Sequence, residues 1–278
     1  MPAGRLVGFV GRNGAGKTTA MRIALGVLQP DAGEVRWKGE RVGALGRRRF
    51  GYMPEERGLY PRMRVLEQLV YLGRLHGMRP ADARERAADL LQRLRVEAAL
   101  TDRVESLSLG NQQRVQMAAA LIHSPDVLIL DEPFSGLDPT GVDVLARVLR
   151  GEAAQRGVPV VFSSHQLDLV ERLCDGVILI ERGRVVADGT IAALRASRSR
   201  NMLRIDTDGA ADGWWEAVPG VDLEERVAGG VVLALTEAAD PQRVLDVARA
   251  QGDVTRFGAV QKSLGELFRE FVEDGAGE

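Results

Sequence analysis

A glycine-rich turn contains the residues of this chain whose types and spacing are best suited to chemistry. Glycines lack a Cβ, so consecutive backbone N–H groups can converge on an anion, and a lysine at the end of the turn adds charge for the β- and γ-phosphates of a nucleotide. A threonine hydroxyl beside it is suited to ligate Mg²⁺. The turn therefore predicts a phosphate cradle with the spacing G-x-x-x-x-G-K-[ST], formed by Gly11, Arg12, Asn13, Gly14, Ala15, Gly16, Lys17, Thr18 and Thr19.

Two acidic residues and a histidine follow apolar runs farther along the chain. Asp131 and Glu132 end the run 127–130, and His165 follows the run 160–164. In an open α/β sheet such residues lie at the ligand-binding edge. We assign Asp131 to Mg²⁺, directly or through water, and Glu132 to polarising the water that attacks the γ-phosphate. His165 either hydrogen-bonds the γ-phosphate or holds Glu132 and the water in line. The alternative is a solvated acidic pair.

A second anion site is predicted at Ser108 and Gly110, which precede a helical run over 114–122. A chain that binds one nucleotide needs only one phosphate cradle, so the second anion site calls for another nucleotide. We therefore expect a dimer in which the Ser108 loop of each subunit closes on the ATP held by the other subunit. The alternative is an ordinary helix cap.

The elements that position these residues alternate between strands and helices, which predicts an α/β fold with a parallel sheet. The spacing of apolar residues predicts an all-helical insertion over about 64–122. A composition break at 196–200 predicts a linker, so residues 1–195 form one domain. Residues 201–278 form a smaller one, whose order of elements, including a helix over 212–217, is that of a split βαβ sandwich with one extra helix.

Composition excludes some classes of protein. The 278 residues include 37 basic and 39 acidic side chains, a balance that does not indicate nucleic acid as a partner. A single cysteine, Cys174, excludes an internal disulfide and fits a reducing compartment. No run of about 18 uncharged apolar residues is present, so the sequence predicts no transmembrane helix.

The order of six segments resembles the ATP-binding subunit of ABC transporters, from about residue 4 to residue 194. The segments are GRNGAGKTT, YMPEE, LSLGNQQRVQ, LILDEP, SGLD and SSHQL. The resemblance implies a P-loop NTPase fold with a RecA-like parallel sheet, an inserted helical subdomain and a small C-terminal α+β domain. The resemblance implies that the glycine-rich turn is the Walker A loop and that the signature supplies Ser108, Gly110 and Gln112 to the nucleotide. Asp131 and Glu132 are similar to the end of Walker B, 135–138 to the D-loop and His165 to the switch histidine.

The same resemblance implies a function. Such a subunit dimerises around two Mg·ATP, hydrolyses them and drives a separate membrane permease from the inner face of the cell membrane. The segments GYMPEERGLYP and LSLGNQQRVQ look most like the sodium- and drug-exporter branch, which favours export, and the C-terminal domain is similar to that branch's accessory domain. The helices over 64–122, with Glu55 nearby, are the expected contact for the permease.

Three departures from the family pattern carry expectations of their own. Glu55 stands where a glutamine is usual, and its carboxylate can bind Mg²⁺ but cannot donate a hydrogen bond. Leu109 and Asn111 alter the signature. About two dozen residues with two strands and an adenine-stacking aromatic usually precede Gly4, so we expect an unpaired sheet edge and weak ATP affinity.

Two rival functions follow from these observations. A nucleotide-binding regulatory module with little or no hydrolysis is favoured by Glu55 and the short N-terminus, whereas Glu132 and His165 oppose it. A protein of DNA repair or translation with the same cassette needs a long coiled-coil insertion or a second cassette, and the sequence has neither.

Overall fold

The computed structural model describes residues 2–56, 58–96, 100–198, 201–236, 238–260 and 262–275. The chain forms two compact units. The first consists of Met1–Ile191 together with Phe271–Glu278, and the second of Ala192–Glu270.

The first unit is built on a six-stranded sheet. Its strands are β1 (Leu6–Val10), β4 (Phe50–Met53), β5 (Val127–Leu130), β6 (Val160–Ser164), β7 (Gly176–Glu181) and β8 (Arg184–Thr190). Their order is β4-β5-β6-β1-β7-β8, and all neighbours are parallel except β7 and β8. A separate hairpin pairs β2 (Arg36–Trp37) with β3 (Glu40–Arg41). This sheet confirms the predicted α/β class.

Helices connect the parallel strands. They are α1 (Lys17–Leu25), α2 (Ala44–Arg47), α3 (Val65–Leu75), α4 (Pro80–Arg93), α5 (Leu109–Leu121), α6 (Pro139–Arg156) and α7 (Leu167–Leu173). The predicted helical insertion contains α3, α4, α5 and a 3-10 turn at Val104–Ser106. Pro139 at the first position of α6 and Asp138, whose carboxylate accepts from the N–H of Gly141 at 2.8 Å, fix the start of that helix.

Burial explains why the central strands form. All residues of β1, β5 and β6 are buried, as expected for strands that are covered on both faces. On one face Val7, Ile129 and Val161 pack in one cluster with Met21 of α1. The apolar sheet therefore holds α1 and the loops after the strands in fixed positions.

An ion-pair cluster joins the helical insertion to the rest of the first unit. Glu152 of α6 is 2% exposed and accepts from Arg93 of α4 at 2.8 Å and from Arg156 at 2.5 Å. Burial opposes ionisation of Glu152, but the hydrogen bonds from these two arginines outweigh it and lower the pKa of the carboxyl below its usual value. The cluster fixes α4 against α6.

The second unit is a four-stranded antiparallel sheet with helices. Its strands are β9 (Asn201–Asp208), β10 (Val221–Val227), β11 (Gly230–Leu235) and β12 (Asp253–Ala259), in the order β10-β11-β9-β12. The helices are α8 (Ile191–Arg198), α9 (Pro241–Gln251) and α10 (Leu264–Gly275). Ile191 of α8 and residues 271–275 of α10 are assigned to the first unit. The structure thus has the expected C-terminal α+β part.

Some local predictions need correction. The segment 212–217 contains a 3-10 turn at Trp214–Ala217 and no α-helix, because Gly213 with φ of 80° begins a turn of four residues only. Of the predicted linker, residues 196–198 end α8, while 199 and 200 lie outside the described residues. The domain boundaries remain a prediction. In the described parts of the chain, every helix is too short or too polar to cross a membrane.

Candidate active site

The predicted chemical residues lie at the carboxyl ends of neighbouring strands. The glycine-rich turn follows β1, the pair Asp131-Glu132 follows β5, and His165 follows β6. Strand β6 lies between the other two, with Ser164 opposite Val10 and Phe162 opposite Leu130. The sheet order therefore brings the three loops to one edge of the sheet.

The backbone of the glycine-rich turn favours glycine at several positions, as Gly16 and Gly11 show. Gly16, the N-cap of α1, has φ of 103°, a conformation that side chains strain. A Cβ on Gly11 would lie 2.3 Å from the carbonyl oxygen of Ile180. The N-cap residue Gly16 has no side chain to cap α1, so the backbone N–H groups at this helix N-terminus, with its partial positive charge, can bind an anion.

Lys17 is held inside this turn. Its side chain is 8% exposed, and its Nζ donates to the carbonyl oxygens of Gly11 at 2.7 Å and Arg12 at 3.2 Å. An ammonium group has three N–H donors, so one remains for a ligand without breaking either bond. The lysine both orders the turn and adds charge to it.

Ser163 of β6 connects the two acidic residues. Its hydroxyl donates to Oδ1 of Asp131 at 2.6 Å and accepts from the N–H of Glu132 at 2.8 Å. Glu132 has φ of 46°, in the left-handed region that costs a non-glycine residue about 1–3 kcal/mol. The hydrogen bond to its backbone N–H helps to hold this strained conformation, which fixes the Glu132 carboxylate at the sheet edge.

Glu132 and His165 form a pair. Nδ1 of His165 lies 3.1 Å from Oε1 of Glu132, and the Glu132 side chain is 12% exposed against 56% for the histidine. A carboxylate can only accept, so Nδ1 carries the hydrogen of this bond when Glu132 is ionised. Nε2 is then left for a substrate or a water molecule.

The residues at this edge fit a divalent cation. Asp131 is 1% exposed, and its Oδ2 is buried without a hydrogen-bond partner among the described residues. A buried carboxylate oxygen without a donor matches the oxygen ligands that Mg²⁺ prefers. Thr18 lies half-buried in the first turn of α1, and Glu55 is exposed two residues beyond β4, the strand next to β5.

Tyr52 adds a polar group near these acids. Burial and the nearby carboxylate of Asp131 raise the pKa of its phenol, against a hydrogen bond from Arg22 of α1. The Glu55 carboxylate also acts in the raising direction. Tyr52 of β4 therefore lies within electrostatic range of Asp131 and Glu55, the two carboxylates that are candidate ligands of the cation.

The signature residues lie apart from the cradle. Ser108 caps α5 by accepting from the N–H of Asn111 at 3.4 Å, and none of the hydrogen bonds between described residues joins Ser108 or Gly110 to residues 11–19. Gln112 donates from Nε2 to the carbonyl oxygens of Val104 and Leu107, both at 3.1 Å. Its amide nitrogen thus braces the loop before α5, and a role of Gln112 at the nucleotide remains a prediction.

Sequence reasoning missed three polar residues around this edge. The sequence places Ser163 only in the run 160–164, although a serine at the end of an apolar strand is a signal for a polar contact. Gln113 and Gln116 are buried on α5 at 7% and 3% exposure, and nothing in a helical sequence marks such glutamines as contacts of distant loops.

Two family models match the chain. The model described as "ABC transporter" matches residues 1–135, and the model described as "ATP-binding protein DrrA1-3-like, C-terminal domain" matches residues 189–272. The second match includes all residues of the second unit.

Several curated proteins are similar along most of their length. An uncharacterised ABC transporter ATP-binding protein of Alkalihalophilus pseudofirmus is 39% identical over 95% of this chain and 98% of its own. Another from Bacillus subtilis is 36% identical over 98% of this chain and 91% of its own. A Nod factor export ATP-binding protein I of Paraburkholderia xenovorans is 41% identical over 70% of this chain and 64% of its own.

Solved structures agree with these relatives. The ATP-binding subunit of an ABC transporter superimposes with a TM-score of 0.64 at 33% identity, over 70% of this chain and 82% of the other. An ATP-binding cassette in a dimeric post-hydrolysis state has a TM-score of 0.62 over 68% of this chain and 86% of the other, and at 24% identity it supports the fold alone. The chain therefore belongs to the ATP-binding subunits of ABC transporters, a family of ATPases.

Proposed function

We propose that two copies of this chain close around two Mg·ATP and drive a separate membrane permease, as an exporter on the inner face of the cell membrane. The observation that carries the proposal is the Asp131–Ser163–Glu132–His165 cluster at the sheet edge that also holds the cradle. The names of relatives that act in Nod factor export support the direction of transport.

Different residues of the chain bind the phosphates, activate the attacking water and orient the catalytic carboxylate. Lys17 and the backbone N–H groups of residues 11–19 bind the phosphates. Glu132 accepts a hydrogen bond from the attacking water, and His165 holds the Glu132 carboxylate in line through Nδ1. The water oxygen bonds to the γ-phosphorus while the bond to the bridging oxygen breaks, which gives ADP and inorganic phosphate.

Mg²⁺ would be held by Thr18, Asp131 and Glu55, and when bound it neutralises charge on the phosphates. The unpartnered Oδ2 of Asp131 supports this choice. Glu55 brings a second negative charge where the family usually has a neutral amide, so we expect tighter cation binding than an amide would give.

Ser108 and Gly110 act on the nucleotide of the other subunit in this proposal. The support is that the N-terminus of α5 is exposed and has no hydrogen bond to the cradle of its own chain among the described residues. A second phosphate site on the same chain has no use unless a partner copy brings a nucleotide to it.

The permease contact is proposed on the helical insertion near α3. An open groove of about 500 Å³ is lined by Tyr60, Pro61, Arg62, Met63 and Tyr71. Tyr60 and Leu75 are 52% and 65% exposed, and apolar groups at the surface favour a protein partner. No nucleic acid is expected to bind.

Light scattering of the Glu132→Gln variant in ATP and Mg²⁺ tests the dimer. The substitution slows hydrolysis, so we expect a species of twice the chain's mass, which forms only with nucleotide. Adding Ser108→Arg, which places a bulky side chain in the signature, should return the mass to that of one chain.

A matched control places arginine at Leu45, a 76% exposed residue of α2. Leu45→Arg in the Glu132→Gln background should leave the dimer intact. A single-chain mass at saturating ATP, or equal dimerisation with Ser108→Arg, would contradict the proposed arrangement.

A further inference from the structure

Helix α5 reaches two loops of the active site through two buried glutamines. Gln113 donates from Nε2 to the carbonyl oxygens of Pro133 at 3.0 Å and Glu132 at 3.4 Å. Gln116, one turn further along, donates to the carbonyl oxygens of Pro54 at 2.7 Å and Glu56 at 3.2 Å. One helix, with Ser108 at its N-terminus, therefore holds the loops of Glu132 and Glu55.

The orientation of the Gln116 amide follows from its neighbours. Both groups that it meets are carbonyl oxygens, which only accept, so the NH₂ end must face them and both of its hydrogens are used. Gln116 is 3% exposed, and its Oε1 is buried without a partner in the described parts of the chain. The chain keeps this unpaired oxygen although a buried unpaired acceptor is unfavourable, which indicates that the two donated bonds matter.

The two bonds enclose Glu55. Pro54 and Glu56 flank it, so the NH₂ group of Gln116 fixes the backbone on both sides of this residue. From the sheet side, the N–H of Asp131 donates to the carbonyl oxygen of Met53 at 2.8 Å. The backbone around Glu55 is thus tied to α5 and to the Asp131 loop, while the Glu55 side chain stays exposed.

We propose that Gln116 is a positioning residue for hydrolysis, which holds Glu55 at the cation and couples it to the Ser108 end of α5. The inference rests on the proposed function, because it assigns Glu55 to Mg²⁺. Movement of α5 when a partner copy engages Ser108 is then transmitted to Glu55 through Gln116 and to Glu132 through Gln113.

The test replaces Gln116 with methionine, which has nearly the same length but no N–H group. Hydrogen exchange of the segment 50–56 should become several-fold faster, because two carbonyls lose their donors and the loop opens more often. Mn²⁺ binding, measured by electron paramagnetic resonance with a non-hydrolysable ATP analogue, should weaken about tenfold. We expect kcat to fall about tenfold with little change in KM for ATP.

Gln68→Met is the matched control. Gln68 of α3 is also buried, and neither atom of its amide has a hydrogen-bond partner among the described residues. The same chemical change there should leave Mn²⁺ binding, exchange of segment 50–56 and kcat unchanged.

A double variant tests whether Gln116 acts through Glu55. Glu55→Ala should weaken Mn²⁺ binding in the wild-type background and add little in the Gln116→Met background. The inference would be overturned if Glu55→Ala weakened Mn²⁺ binding by the same factor in both backgrounds. It would also be overturned if Gln116→Met left Mn²⁺ binding and the hydrogen exchange of segment 50–56 unchanged. Absence of Mg²⁺-dependent hydrolysis in the wild type would instead count against the proposed function, whereas the exchange measurement tests the Gln116 contact by itself.

Discussion

The two units of the chain differ in what they bury. Every buried polar or charged side chain among the described residues belongs to the first unit: Lys17, Gln68, Gln113, Gln116, Asp131, Glu152, Ser163 and Ser164. The described core of the second unit is apolar and includes Ile205, Trp214, Trp215 and Leu233. The ion pair of Arg226 with Asp212 lies at the surface of the second unit, and that of Arg204 with Asp206 is only partly buried.

This difference indicates where the chemistry resides. Burying a polar group is unfavourable unless it is hydrogen-bonded, so a fold without a reaction to perform gains little from it. In the first unit most of the buried polar groups hold loops of the active site, and stability is linked to catalysis there. The described core of the second unit is apolar and holds none of the active-site loops, so we expect the stability of this unit to be separable from hydrolysis.

The largest effect on stability is expected from Leu233→Ala in the second unit. Leu233 of β11 is 0% exposed, and removing a fully buried leucine side chain typically costs about 2–5 kcal/mol. Hydrogen exchange of the β9 and β11 amides should show this loss, while kcat for ATP stays within about twofold of wild type. A fall in kcat as large as the loss of protection would show that the two units are not separable.

A smaller effect on stability, limited to acidic pH, is expected from two histidines of the first unit. The ring of His123 stacks on His76 with centroids 3.8 Å apart, and its Nε2 lies 3.2 Å from the carbonyl oxygen of Phe50. Burial, with His76 and Arg156 nearby, lowers the pKa of His123 from 6.5 to about 4. Because the folded state resists protonation, stability present above pH 6.5 is lost as the pH falls, by roughly 3 kcal/mol near pH 4.

His123→Phe tests that expectation. Phenylalanine keeps a flat ring against His76 but cannot take up a proton, so the free energy of unfolding should fall less steeply between pH 6.5 and 4. At pH 7.5 the variant should be less stable by about 1 kcal/mol, through loss of the bond to Phe50. Denaturant unfolding of wild type and variant at matched pH values measures the pH dependence and the difference at pH 7.5. An equally steep fall of the unfolding free energy with pH in the two proteins would contradict the account.

The sequence predicted the fold well where apolar patterns are strong. The predicted apolar run 127–130 forms β5 with these same bounds, because four apolar residues in a row suit a strand buried on both faces. Trp214 and Trp215 of the predicted helix 212–217 are both buried in the core of the second unit. The turn at Trp214–Ala217 was predicted as a helix because local propensity does not show that Gly213 begins a single turn.

Prediction of the site was uneven for a physical reason. The cradle, Asp131, Glu132 and His165 follow strands directly, so the sheet edge gathers them once the strands are known. Gln113 and Gln116 bind loops that are distant in sequence, which nothing in the helical pattern shows, and Ser163 is marked only by its place at the end of β6. Their roles became visible only from hydrogen-bond partners.

The central claim, that Glu132 polarises the attacking water, is tested most directly by the rate of Mg²⁺-dependent ATP hydrolysis in wild type and Glu132→Gln. Glutamine keeps the size of the side chain but is a far weaker acceptor for the water's proton, so we expect hydrolysis to fall at least about 100-fold with ATP binding retained. A variant that hydrolyses ATP within a few-fold of the wild-type rate would contradict the claim, and so would a wild type that binds ATP without hydrolysing it.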